Sequence, residues 1–263
     1  MPGPISPEKE PTFGRGLAVA LLYAAVFLAG GLISGVDYDE ITQTASNVFG
    51  FVVVPVGLGI LATLALTWRW GWWRPLFTET RRLEHPRWAR LIPVGIVLYV
   101  VVALAFAPWG DWSVGLVALI LAATLMVGFG EEIVFRGYLL VGARGRYSEL
   151  GAWFVTSGLF GLFHGLNIFT GQSVGATIQQ VVFAFLVGSS FYLVRRVTGL
   201  LVAGMVLHGL WDFTTFISSG RGEAADAVSG SALAASPFVW ITAILTVATL
   251  VSIFRGRHAA QEA

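Results

Sequence analysis

The sequence has no cysteine and almost no lysine. Of 263 residues none is Cys, and Lys9 is the only Lys. Without Cys there are no disulfides and no thiolate-ligated metal. Charge is scarce too: Asp, Glu, Lys and Arg make up 12% of the chain, where globular proteins carry about 25%. The net charge is +1 and no basic stripe runs along any segment, so nothing marks a nucleic-acid partner. No internal repeat is visible, which argues against the repeat symmetry common in secondary transporters. Arg replaces Lys almost throughout, a bias that points to a GC-rich bacterial genome and hence to a bacterial cytoplasmic membrane.

What the chain has instead is apolar length. Hydrophobic residues make up 56% and the mean hydropathy is +0.77. Runs of spanning length occupy 16–34, 48–68, 91–107, 113–130, 150–169, 176–194, 199–218 and 237–254. They predict an all-α, polytopic membrane bundle of eight transmembrane helices, with one membrane domain over 16–255. A disordered cytoplasmic tail is expected over 1–15 and a second tail over 256–263. With the N-terminus in the cytoplasm, fifteen of the sixteen basic residues fall on the inner side, and Arg221 alone falls outside. That asymmetry obeys the positive-inside rule and places both termini in the cytoplasm. Trp68, Trp70, Trp72, Trp73 and Trp88 are expected to form an interfacial belt around a basic cytoplasmic loop on lipid headgroups, and Trp109 and Trp112 flank an outer turn. The outer loop 219–236, rich in Gly, Ser and Ala, is expected to be mobile.

Most acids read as loop residues, Glu79 and Glu149 among them. The ionisable residues placed within or against apolar runs are Glu131, Glu132, Arg136, His164, His208 and Asp212. Groups of this kind at membrane depth are functional candidates. Glu132 and Arg136 are four residues apart, so on a helix they pair on one face, leaving Glu131 rotated away. His164 follows Phe160 by four and precedes Asn167 by one turn. His208 precedes Asp212 by four, with Trp211 beside it. Hydropathy ends the fourth run at Gly130, but Glu131 and His164 reach equal height only if that helix continues through Leu140. His208 lies about 18 Å beyond Arg196 at ~1.5 Å per residue. The three helices therefore meet in the inner half of the bilayer, and water is expected to enter from the cytoplasmic side.

Glu131-Glu132-x-x-x-Arg136, Phe160-x-x-x-His164 and His208-x-x-x-Asp212, in that order, resemble the motifs of the CPBP family. That family comprises the type II CAAX prenyl endopeptidases and the bacteriocin-processing or self-immunity (Abi) proteins. The resemblance covers roughly residues 113–216, taken as the catalytic core. It implies intramembrane peptide-bond hydrolysis of a membrane-associated or lipidated protein or peptide. Glu131 would be the general base for a water, helped by His164. His208 and residue 212 would polarise the scissile carbonyl. Glu132, Arg136, Phe160, Asn167 and Trp211 would support them. The third motif ends in Asp212 where the prenyl endopeptidase branch has Asn. An ionised Asp repels an oxyanion, so Asp212 is protonated, orients His208, or binds metal. The resemblance leaves two chemistries, glutamate-type with no cofactor and metallo-type with Zn²⁺ held by Glu131, His164, His208 and Asp212. The partners expected are membrane lipid and the peptide substrate. The competing readings are a non-catalytic immunity or partner-binding protein with the same motifs, and a proton-coupled transporter with a Glu–His relay.

Overall fold

Long apolar runs fold into helices because nothing else satisfies the backbone inside lipid, even where a proline such as Pro55 falls inside the run. In a computed structural model describing residues 10–79, 85–220 and 237–259, these runs form α1 (Phe13–Ser34), α2 (Ala45–Trp70), α4 (Arg87–Ala105), α5 (Val114–Ala143), α6 (Glu149–Thr170), α7 (Val174–Thr198) and α8 (Leu201–Ser218). A five-residue helix, α3 (Trp73–Phe77), follows α2, and α9 (Pro237–Ala259) ends the bundle. No strand occurs among the described residues. Polar side chains cap the starts: Thr12, Ser113, Ser148 and Ser173 each accept a main-chain N–H from the first turn. Left-handed Gly171 and Gly199 close α6 and α7.

Among the described residues seven helices are long and apolar enough to cross a membrane, where the eight runs predict eight. The eighth run lies in α9, whose described apolar part is the shorter Trp240–Phe254. The expected tail at 1–15, the tail at 256–263 and the outer loop at 219–236 fall largely outside the described residues.

Leu21, Leu61, Ile178 and Ile244 are exposed on the outside of the bundle, as lipid-facing positions are. Small residues bring the central helices together. A Cβ on Gly209 of α8 would sit 2.7 Å from the Leu125 Cα and 2.8 Å from the Thr124 carbonyl of α5, so α5 and α8 touch along their backbones. Around this pair stand α1, α2, α6 and α7, while α4 and α9 pack together at one side.

Two corrections concern tryptophans placed at the interfaces. The expected tryptophan belt is only partly a belt. Trp68 and Trp73 are exposed, but Trp72 and Leu76 are completely buried and Trp72 packs against Tyr138 of α5. The ring is used as core because α3 folds back under the bundle. Trp112 is buried as well and donates its indole N–H to the Ile217 carbonyl.

Candidate active site

The helix of Glu131 and Glu132 does continue past Gly130, to Ala143. Its hydrogen-bond register widens to a π-helix over Ile133–Leu139, directly after the two glutamates. Such wide turns recur at functional sites. Arg136, inside the wide turn, donates from Nη1 to Glu132 Oε1 at 2.8 Å, the pairing its four-residue spacing predicts. Both side chains are fully buried, so the two charges compensate each other where water does not reach. The guanidinium lies 4.0 Å from the Phe160 ring centroid. Gly188 of α7 provides the room: a Cβ there would sit 2.6 Å from Arg136 Nη2 and 2.7 Å from Phe160 Cδ1.

His208 joins this pair to the rest of the site. Its Nδ1 is 3.1 Å from Glu132 Oε1. Glu132, paired with Arg136, can only accept, so Nδ1 carries the proton of that bond. The Nε2 edge faces Glu131 Oε2 at 3.8 Å and Asp212 Oδ2 at 3.5 Å. Phe191 of α7 lies flat on the imidazole, centroids 4.6 Å apart and planes 22° apart. His164, on α6, sits edge-on to the other side of Phe160, with Nδ1 2.9 Å from the Phe160 carbonyl. A carbonyl only accepts, so Nδ1 donates and Nε2 of the neutral ring keeps its lone pair. Glu131 Oε2 is buried without a hydrogen-bond partner.

Glu131, His164, His208, Asp212, Phe160, Asn167 and Trp211 all line one cavity of about 320 Å³. The three sequence motifs thus converge. Trp211, mid-helix and unexplained by any membrane interface, forms cavity wall and packs on Tyr99 at 4.4 Å. Asn167 donates to Gln180 of α7 at 2.8 Å, and Gln180 donates to the Tyr38 hydroxyl at 2.7 Å. Burial raises the Tyr38 hydroxyl well above its ordinary range, with the Gln180 bond pulling the other way, so Tyr38 keeps a proton to donate. Tyr38, Gln180, Gly188 and Phe191 carry no motif spacing that sequence reading could use.

The direction of the cavity differs from expectation. From Glu131 and His208 its lining runs back along α5 to Ile120 and forward along α8 to Ser219 and Gly220. On the other walls it includes Asn167, Gln172, Gln179, Tyr38, Asp39 and Thr42. These residues approach the end where α1, α6 and α8 finish and α2, α5 and α7 begin. The arginine-rich end, expected to admit water, lies the other way.

That end is filled by a buried ion network. Arg144 pairs with Glu79 and Glu149, each at 2.7 Å. Tyr192 donates to Glu149 at 2.6 Å and Arg196 donates to the Tyr192 oxygen at 2.9 Å. Arg195 binds the Arg136 carbonyl and, at 3.1 Å, the Pro75 carbonyl. Burial disfavours the charged form of Arg144, but the two carboxylates outweigh it and raise its pKa above the ordinary arginine range. Glu79, in the connection after α3, and Glu149, at the start of α6, are therefore paired and buried rather than solvated. Hydropathy records only the cost of burying one charge, not the partner that offsets it.

The metal-binding alternative does not fit the side chains. Among the described residues no three His, Asp or Glu groups are arranged to hold a metal ion. The two ring nitrogens of His208 are directed at three carboxylates, and His164 offers only its Nε2. A Zn²⁺ site made of Glu131, His164, His208 and Asp212 would need all four to turn inward on one point.

No curated protein matches the chain. A protein-family match covers residues 113–214 and is described as type II CAAX prenyl endopeptidase Rce1-like. Its bounds enclose all three motifs and the helices that carry them, from the start of α5 to the last turns of α8. Residues 113–214, the part of this chain that builds the cavity floor, are thus similar to the Rce1-like type II CAAX prenyl endopeptidases.

Proposed function

We propose that this multi-pass membrane protein is an intramembrane endopeptidase of the glutamate type. Glu131 takes a proton from water, and the resulting hydroxide attacks the scissile carbonyl carbon. His208, as an imidazolium, donates from Nδ1 to Glu132 and from Nε2 to the carbonyl oxygen as it becomes an oxyanion. Asp212 orients that edge. His164 Nε2 assists by holding the attacking water, and the proton held by Glu131 passes to the leaving amine. Glu132 and Arg136 keep the helix turn and His208 in place. The observation carrying this reading is the contrast between two adjacent glutamates. Glu132 Oε1 is bonded to both Arg136 and His208 and the side chain lies behind the cavity, whereas Glu131 lines the cavity itself, its Oε2 unbonded beside the His208 edge. The family match supports the same class of reaction on a membrane-associated protein or peptide. The charge bias supports eight spans with cytoplasmic termini, α9 being the eighth.

The test is cleavage of a membrane-peptide library by the purified protein, wild type against Glu131→Gln, with and without a chelator. Product from wild type alone, unchanged by chelator, is expected. Equal product from both proteins removes the catalytic assignment. Chelator-sensitive cleavage overturns the metal-free chemistry.

A further inference from the structure

We propose that the cavity is served from the extracytoplasmic side, so that its substrate is a peptide segment presented on that face of the membrane. The substrate clause rests on the proteolytic reading above, whereas the direction of access does not.

Two independent observations carry the direction. The first is the shape of the site. Every wall leads from the Glu131–His208 floor toward one end of the bundle, where exposed Asp39, Ala176 and Gln179 belong to the lining. Toward the other end the floor is backed by the Glu132–Arg136 pair, completely buried Trp72 and Leu76, and the Arg195 bond to the Arg136 carbonyl. Beyond them lies the Glu79–Arg144–Glu149–Tyr192–Arg196 network. Tyr138 closes the remaining side by bonding Thr67 and the Thr63 carbonyl at 2.6 and 2.9 Å.

The second observation is charge. The connections at the mouth, residues 35–44, 106–113 and 171–173 with the one that follows α8, 219–236, contain a single basic residue, Arg221, against Asp37, Asp39, Glu40, Asp111, Glu223 and Asp226. The opposite end holds Arg69, Arg74, Arg87, Arg90 and Arg146, none of which the ion network uses. Positive charge next to spans stays in the cytoplasm, so the closed end faces inward and the mouth outward. Excluding the arginines that build the buried network leaves this bias intact. A cytoplasmic chain would have no direct route to Glu131.

The absence of native Cys makes the test direct, because any thiol introduced is the only one. Thr42→Cys, in the cavity lining, and Ser46→Cys, exposed beside it, report the mouth. Arg69→Cys and Arg146→Cys, both exposed, report the other end. Intact cells expressing each full-length variant are treated with a membrane-impermeant maleimide, before and after permeabilisation. The expected result is labelling of Thr42→Cys and Ser46→Cys in intact cells and of the two arginine-end variants only after permeabilisation. The reverse pattern overturns the proposal, as does labelling of both ends in intact cells. A second arm presents one peptide on a single-span anchor, facing outward or inward. Cleavage of the outward form alone, lost in Glu131→Gln, is expected. Cleavage of the inward form alone overturns the proposal. Cleavage of neither defeats the proteolytic reading and its substrate, and the labelling result then decides the direction of access by itself.

Discussion

Phe191 lies flat against His208, with ring centroids 4.6 Å apart and planes 22° from parallel. The imidazole is held by this face and by its Nδ1 bond to Glu132, so its Nε2 edge is aimed at Glu131 and Asp212. Phe191→Leu keeps an apolar side chain but removes the flat support. It is expected to lower kcat for peptide cleavage about tenfold or more, with a smaller effect on KM, since a small misplacement of a catalytic group is costly. An equal effect of Phe191→Leu and Phe191→Tyr on kcat would remove the stacking role.

Adjacent glutamates should fail in different assays. Glu131→Gln is expected to abolish cleavage, a loss of about 10²-fold or greater, while leaving the melting temperature in detergent unchanged. Glu132→Gln leaves Arg136 buried with an uncharged partner, and it should lower the melting temperature while retaining part of the cleavage rate. Interchanged phenotypes would reverse the roles.

Arg136→Ala strips the guanidinium bonded to buried Glu132 and is expected to destabilise the protein by about 3–5 kcal/mol. Arg136→Lys keeps the charge but loses the planar contact with Phe160, so it should fall between wild type and Arg136→Ala. Thermal denaturation of the three purified proteins orders them.

Gly188→Ala places a methyl group 2.6 Å from Arg136 Nη2 and 2.7 Å from Phe160 Cδ1. Overpacking of this kind costs about 1–3 kcal/mol, and here it should displace both motif residues at once. A variant with native stability and native cleavage would show that the seat is not tight.

Tyr38, Gln180 and Asn167 form one hydrogen-bonded chain across the cavity wall. The Tyr38 hydroxyl proton and the Asn167 side-chain carbonyl remain available to a ligand, one donor and one acceptor, which is the complement a peptide backbone requires. Tyr38→Phe is expected to raise KM severalfold with kcat little changed. A fall in kcat at constant KM would count against a binding role.

The sequence makes the membrane bundle legible because spanning length and basic asymmetry are global signals, carried by many residues at once. It makes Glu131, Glu132, Arg136, His164, His208 and Asp212 legible because embedded ionisable groups are few. It hides what depends on distant partners. Gln180 meets Tyr38 across 142 positions and Arg144 meets Glu79 across 65, and no local period records either. The same blindness sends Glu79 and Glu149 to the surface and Trp72 to an interface. The direction of the cavity is hidden for a related reason. Hydropathy measures how apolar a stretch is, whereas access is decided by which ends of several helices are plugged.

A floor closed by ion pairs turns the site into a last-in, first-out queue. Nothing can leave past Arg136, so whatever enters after the water stands between that water and the outside. In the hydrolysis proposed above, the water must already rest against Glu131 when the peptide arrives. The fragment nearest the mouth must withdraw before the deeper one, and only then is the floor rewetted for another turnover.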